Sequence, residues 1–251
     1  MARTAISLYS VRDLDESFSD VLGRVADAGY DGVQLSGGFD DISLEERRDR
    51  ADDLGLSATP PHIDIESLED GLETIVSEYE AAFGTSSVVV PYLGEEHFES
   101  AEKVDETTDR LLDLAADLDE HGWDLHYHNH AHEFTDLDGE TGFERLVRKT
   151  GDDLLIELDV GWALVGGFDP VDLIETYDHR IELLHMKDMV TDETRGFREI
   201  GEGDVDMQAC AEAGHAADVE WFIYEHDEPA DPATSIATGG AFLDELVNAT
   251  N

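Results

Sequence analysis

The sequence predicts an α/β chain folded as a single (β/α)8 barrel of the TIM type, spanning residues 1–251. Three observations carry this expectation. Short β-like apolar runs alternate with amphipathic helical stretches from one end of the chain to the other. Eight such units share 251 residues, about 31 each, an ordinary length for a strand–helix unit. Residues able to bind metal or move protons stand where the apolar runs end, and barrels of this kind carry their chemistry at the carboxyl ends of strands. A doubly wound open sheet is the alternative. It would require a Gly-rich turn after the first strand, and Tyr9-Ser10-Val11-Arg12-Asp13 is not one.

Strands are expected over residues 3–9, 31–36, 56–61, 86–92, 123–129, 154–160, 180–186 and 219–225. In the fifth, Trp123, Leu125 and Tyr127 share one side, while Asp124, His126 and His128 share the other. A face of imidazoles opposite a wholly apolar face suits a strand that borders a site. In the sixth, Leu154, Ile156, Leu158 and Val160 face the helices and leave Glu157 and Asp159 inward. In the seventh, His185 and Lys187 share a face. The longest helical pattern starts near Glu96, repeats through Val104, Leu111, Ala115 and Leu118, and stops at Gly122. A last helix is expected from Ala233 to Val247. Gly201-Glu202-Gly203 reads as a turn positioning a helix capped by Asp204 or Asp206, since the central Glu would repel a phosphate.

Composition narrows the setting. The chain is 41% hydrophobic, enough for a sizeable core, yet holds 62 acidic against 15 basic residues, a formal net charge of −47. The acids are dispersed over nearly every amphipathic segment rather than gathered in a tail. That is the pattern of a halophile's cytoplasmic protein, kept soluble in molar salt that screens charge over roughly 3 Å. It also excludes binding to a phosphate backbone, which needs Lys and Arg. Cys210 is alone, so neither an internal disulfide nor a cysteine metal cluster can form, and a small core residue is expected. No signal peptide precedes the first strand, and no apolar run approaches the ~18 residues of a membrane span. Association of identical copies stays open.

Carboxylates and a His from different strand ends make a divalent-metal site of mixed oxygen and nitrogen ligands. Such a set suits Mn²⁺ first, with Mg²⁺, Co²⁺ or Zn²⁺ also served. Asp159, His185 and Glu225 are the firmest candidates, because each follows a strongly apolar strand. The fourth ligand is open between Glu133, in the loop past the fifth strand, and His128 on the strand end. Tyr9, Gln34, His62, His130 and Trp162 are candidates to line a substrate site.

The ordered set Tyr127-His128-Asn129-His130-Ala131-His132-Glu133-Phe134, Glu157-Leu158-Asp159-Val160-Gly161-Trp162 and Leu184-His185-Met186-Lys187-Asp188 resembles the sugar phosphate isomerase/epimerase family, whose members share the xylose-isomerase-like barrel. Gly201-Glu202-Gly203-Asp204-Val205-Asp206, Glu220-Trp221-Phe222-Ile223-Tyr224-Glu225-His226-Asp227 and the opening Leu8-Tyr9-Ser10-Val11-Arg12-Asp13 continue the match in order. The resemblance implies a metal at the barrel mouth held by carboxylates and a His. Many relatives place a Glu-Asn pair at the end of the fifth strand, where this chain has His128-Asn129. The ligand role is therefore carried to Glu133.

The implied activity is isomerisation or epimerisation of a sugar or keto-sugar, through proton abstraction next to a carbonyl and a metal-stabilised enediolate. Glu133 and Glu225 would combine ligation with proton transfer, and His62, His128 and Lys187 would bind hydroxyls or the carbonyl oxygen. A keto-polyol dehydratase of the keto-inositol type starts with the same step and is the alternative. An apurinic-site endonuclease shares the barrel but needs more ligands and a basic surface. A non-catalytic sugar-binding barrel would lack ligands that this chain retains. With no Arg/Lys cluster for a phosphate, an unphosphorylated carbohydrate is favoured.

Overall fold

The computed structural model describes residues 2–37, 39 and 42–249. The barrel strands are β1 Arg3–Ser7, β2 Gly32–Gln34, β3 Ser57–Ala58, β4 Ser87–Val90, β5 Asp124–His128, β6 Leu155–Asp159 and β7 Ile181–Met186. A hairpin of β8 Asp188–Met189 and β9 Phe197–Arg198 intervenes before the last barrel strand, β10 Trp221–Tyr224. Their lateral order is β3-β2-β1-β10-β7-β6-β5-β4, with neighbours parallel. The two ends, β3 and β4, meet through a bridge between His62 and Val89, so the (β/α)8 barrel is only partly closed. Pro60 and Pro61 account for the weak seam. Neither has an N–H to donate, and the strand expected over 56–61 keeps two ladder residues.

Helices alternate with the strands and owe their starts to caps. Asp64 caps α3, and Ser43 and Thr141 form capping boxes with Glu46 and Glu144 at α2 and α5, respectively (α1 Phe18–Asp27, α2 Leu44–Leu54, α3 Ile65–Phe83, α4 Ala101–Asp119, α5 Gly142–Thr150). The long α4 begins later than its periodicity suggests, because Ser100 accepts the Lys103 N–H and fixes the start there. The remaining helices are α6 Val160–Val165, α7 Pro170–Thr176, α8 Met207–Ala216 and α9 Pro232–Ala249. Asp206, not Asp204, caps α8. The amides of Gly201 and Gly203 both donate to Asp188 Oδ2 at 2.8 Å, so this turn is clamped to the barrel and its N–H groups are spent. Cys210 is buried, and that burial pushes its thiol up to about 12.

One apolar core lies between strands and helices, and a smaller one plugs the barrel itself: Ala5, Val89, Leu183, Trp221 and Ile223. Trp221 needs Gly32 opposite, since a Cβ there would lie 2.8 Å from the indole and 2.6 Å from the Ser57 carbonyl. Burying an indole of about 150–250 Å² contributes roughly 4–6 kcal/mol. This plug closes the amino end of the barrel and leaves polar side chains for the carboxyl end. Among the described residues no helix is long and apolar enough to cross a membrane.

Candidate functional site

Parallel register brings the inward residues of successive strands level with one another. Asp159 of β6 pairs with His185 of β7, which pairs with Ile223 of β10, and Glu157 of β6 pairs with His128 of β5. Glu225 follows β10 directly. The result is two stacked polar layers above the apolar plug.

The upper layer holds Asp159, His185, Glu225, His128 and Lys187, all buried. One ligand atom each from His128, Asp159, His185 and Glu225 lies within 4.8 Å of the others. That spacing suits a single divalent ion with bonds of about 2.0–2.6 Å. Asp159 also caps α6: its Oδ1 accepts the Trp162 N–H at 2.7 Å, which leaves Oδ2, buried and without a hydrogen bond, turned to the cluster. Asn129 fixes the same residue through its backbone, accepting the Asp159 N–H at 2.9 Å. Two carboxylate oxygens and two imidazole nitrogens, one of the oxygens without a hydrogen bond, fit a divalent cation. Lys187 Nζ stands among the carboxylates, 2.8 Å from Glu225 Oε2, 2.9 Å from Asp227 Oδ1 and 3.1 Å from Asp159 Oδ2. The three carboxylates hold its ammonium protonated against the opposing effect of burial.

The lower layer is organised by Glu157. Its Oε2 lies 2.6 Å from His62 Nε2, 2.9 Å from His128 Nδ1 and 3.1 Å from His185 Nε2, and its Oε1 accepts Gln34 Nε2 at 2.6 Å. His185 and His128 thus each turn one nitrogen down to Glu157. Their other nitrogens face Glu225 Oε2 at 3.0 Å and Asp159 Oδ2 at 3.7 Å, respectively. A carboxylate behind an imidazole sets the tautomer and direction of the ring.

The expected site residues divide accordingly. His128, Asp159, His185, Lys187 and Glu225 converge, whereas Glu133 does not join them. Its loop turns as a short 3-10 helix over 132–134 and carries the carboxylate to the helix-facing side of β5. There Tyr127 donates its hydroxyl to Oε1 at 2.7 Å and the His130 N–H donates to Oε2 at 2.9 Å. The geometry therefore brings His128, and not Glu133, within reach of Asp159, His185 and Glu225. Gln34 is also relocated: it is fully buried in the lower layer, not on a cavity wall. Tyr9, His62 and His130 line a cavity of about 500 Å³ over the upper layer, together with His128, Lys187 and Glu225. Trp162 faces an adjoining cavity instead. Sequence reasoning assigned no role to Glu157, Asp227 or Tyr92; only the same-face spacing of Glu157 and Asp159 hinted at the first. A separate cavity of about 330 Å³ near Ala2, Glu182 and Val219, at the amino end, holds no converging ligand set.

Protonation follows from this packing. Burial, reinforced by Glu225 and opposed by Lys187, raises the Asp159 carboxyl to about 6. Burial alone would lower His185, but Glu157 and Glu225 lift it to about 10, so its ring is an imidazolium at neutral pH. Burial and the neighbouring His185 lower His128 to about 4, so that ring is neutral. A divalent ion must displace the Nδ1 proton of His185, and below pH 6 a proton on Asp159 as well. The affinity for Mn²⁺ is therefore expected to rise with pH. The logarithmic slope should be roughly one between pH 6 and 10 and roughly two below 6. Calorimetric titration in buffers of different ionisation enthalpy should read about one proton released near pH 7.5. A pH-independent affinity would refute this ligand set.

A family model described as xylose isomerase-like TIM barrel matches residues 22–246. The chain is 31% identical over 193 residues to inosose dehydratase of Geobacillus kaustophilus (strain HTA426). That match covers 67% of this chain and 61% of the relative, less than two thirds of its length. Among solved structures, a sugar phosphate isomerase/epimerase from Parabacteroides distasonis ATCC 8503 superimposes with a TM-score of 0.83 at 16% identity, covering 97% of this chain and 98% of that one. An L-ribulose 3-epimerase does so with a TM-score of 0.73 at 18% identity, covering 100% and 96%.

Proposed function

The chain belongs to the xylose isomerase-like TIM barrel family, and from that premise we propose that it is a divalent-metal-dependent dehydratase of a keto-polyol or keto-sugar, with residues 1–251 as one domain. The observation that carries the reading is the buried set of His128, Asp159, His185 and Glu225, of which His128 and Glu225 line a cavity of about 500 Å³, of ordinary size for a small ligand. The dehydratase relative, at 31% identity, favours water loss over isomerisation. Mn²⁺ is the ion we assign first.

A divalent ion in this set would polarise the substrate carbonyl and stabilise charge developing on its oxygen. The chain's residues do the rest. Glu225 takes the proton from the carbon next to the carbonyl, and Lys187, held beside it, offers its ammonium to substrate oxygen. Asp227 stands on the same wall. Burial, with help from Glu225 and against Lys187, raises its carboxyl above the usual range, which suits it to protonate a departing hydroxyl. The C–O bond breaks as the new C=C forms, and the hydroxyl leaves as water. His62 and His130, which line the cavity, bind hydroxyls. Glu133, tied to Tyr127, is left a structural part.

Isomerisation or epimerisation is the second reading, supported by the resemblance to an L-ribulose 3-epimerase fold. It needs the same abstraction but a proton returned to carbon. Incubation of the Mn²⁺-loaded protein with an inosose and with ketoses in deuterated water separates the two. Dehydration yields product lighter by water; isomerisation yields deuterium in unbroken sugar. Neither change with any substrate would overturn both.

We further propose that the protein works in molar salt, in a halophile's cytoplasm, and that it binds no nucleic acid. The support is the dispersed net charge of −47. At 0.01 M salt charges interact over about 30 Å, and at 1 M over about 3 Å, so repulsion among surface carboxylates fades as salt rises. The thermal midpoint at fixed metal concentration is expected to climb steeply with KCl and then level off. A midpoint flat between about 0.05 and 2 M, across which screening changes severalfold, would show that the acidity serves something else.

A further inference from the structure

The cavity over the metal-ligand set does not end at its rim. Tyr92 and His130 form a wall whose other side faces a second cavity of about 630 Å³, reached also by Trp162, Arg195, Glu95 and Glu99. Among the described residues the exposed large hydrophobic side chains are Tyr9 and Tyr92, at 41% and 53%, and both stand on the rim of the first cavity. Tyr92 is braced rather than loose. The rings of His130 and His132 meet it edge to face at centroid distances of 4.9 and 5.7 Å. An aromatic held in place yet left in water, on a surface otherwise given over to carboxylates, is a platform awaiting an apolar face.

A second observation marks the same wall. Trp162 Nε1 and His130 Nδ1 are buried atoms without a hydrogen-bond partner. Buried polar atoms without a partner are uncommon and mark this wall as a place where the packing is incomplete. The charge of the second cavity points to the kind of ligand. Glu95 and Glu99 would repel a phosphate or carboxylate but readily accept hydrogens from hydroxyls, and Arg195 can donate to a hydroxyl or ring oxygen.

We infer that the substrate is a glycoside rather than a free monosaccharide: a keto-sugar ring seated over His128, Lys187 and Glu225, joined to a second, neutral ring in the cavity beyond Tyr92 and His130. The inference rests on the keto-sugar reading of the site. The second ring stacks against Tyr92 and Trp162, and its hydroxyls meet Glu95, Glu99 and Arg195. Binding energy from this remote ring then holds the reacting ring in place.

The test is a comparison of D-fructose with lactulose, a ketose carrying a neutral galactosyl ring, on the Mn²⁺-loaded protein by calorimetry and tryptophan fluorescence. Trp123 and Trp221 are buried, at 3% and 1% exposure, so an emission change on ligand binding reports Trp162. Lactulose is expected to bind about tenfold or more tightly than fructose, the equivalent of one good aromatic contact, and to alter Trp162 emission where fructose does not. Tyr92→Ala and Glu99→Gln should each shrink the lactulose-to-fructose ratio towards one. Equal affinity for both sugars in the wild type, or a ratio untouched by both variants, overturns the second-ring site and leaves the metal reading standing. Tighter binding of fructose 6-phosphate than of lactulose overturns the neutral ring. Binding of none of the three overturns this inference and the keto-sugar reading together.

Discussion

Alanine at Asp159, His185 or Glu225 is expected to strip the protein of its divalent ion, as read by elemental analysis after desalting. Each supplies an atom to the same buried set, so the remaining ligands cannot hold an ion at full affinity. Activity should fall with metal content. A bound cation contributes several kcal/mol of charge stabilisation, and at 1.36 kcal/mol per decade that is a loss of about a thousandfold or more. The fourth position is decided in the same measurement. His128→Ala should lower metal content, while Glu133→Ala should leave it near wild type, because Glu133 is bound to Tyr127 and His130 away from the set. Full metal content in all three primary variants would show that the ion, if any, sits elsewhere.

Lys187→Met is expected to act in opposite senses on stability and on metal affinity. In the metal-free protein the Lys187 ammonium is the internal counter-charge for Asp159, Glu225 and Asp227. Removing one partner of a buried ion pair costs about 3–5 kcal/mol, and Met preserves most of the volume. In a domain of this size 1 kcal/mol moves the midpoint by about 2–4 °C, so the loss should be roughly 6–20 °C by scanning calorimetry. Mn²⁺ then meets Asp159, Glu225 and Asp227 without the ammonium they share, and should bind the variant more tightly than wild type. A saturating ion at a hundred times its Kd returns about 2.7 kcal/mol, so the loaded variant should recover most of the deficit relative to the metal-free wild type. Turnover should stay low, since the ammonium that faces substrate oxygen is gone. A variant as stable as wild type without metal would mean that Lys187 is not the counter-cation.

The fold was legible because periodicity reports which face a strand buries, and several of the eight apolar runs, those before His128, Asp159, His185 and Glu225 among them, ended at residues able to bind metal or move protons. Local chemistry set the limits. The third strand reads long in sequence, but Pro60 and Pro61 deny it ladder bonds. The β8–β9 hairpin has two-residue strands, too short for any period to show. At the site, Asp159, His185 and Glu225 are visible from strand ends alone, since strand geometry dictates where an end residue points. Glu133 lies in a loop, and no spacing tells which way a loop turns; the Tyr127 hydroxyl decided it. The centrality of Glu157 was hidden for another reason. Its three imidazoles come from three distant strand ends, and only closure of the barrel brings them to one oxygen.

Asp159 ties the ligand set to the architecture at a single carboxyl group, one oxygen capping α6 and the other turned to the cluster. Substitution histories at this position are therefore constrained twice over. Glutamate, often an acceptable exchange for a metal-binding aspartate, adds a methylene that cannot satisfy both duties without moving either the helix start or the ligand atom. Asparagine keeps the helix start and loses the anion; serine does the same with a shorter reach. A change in the chemistry of this cluster that is to spare the start of α6 must therefore come from the other strands.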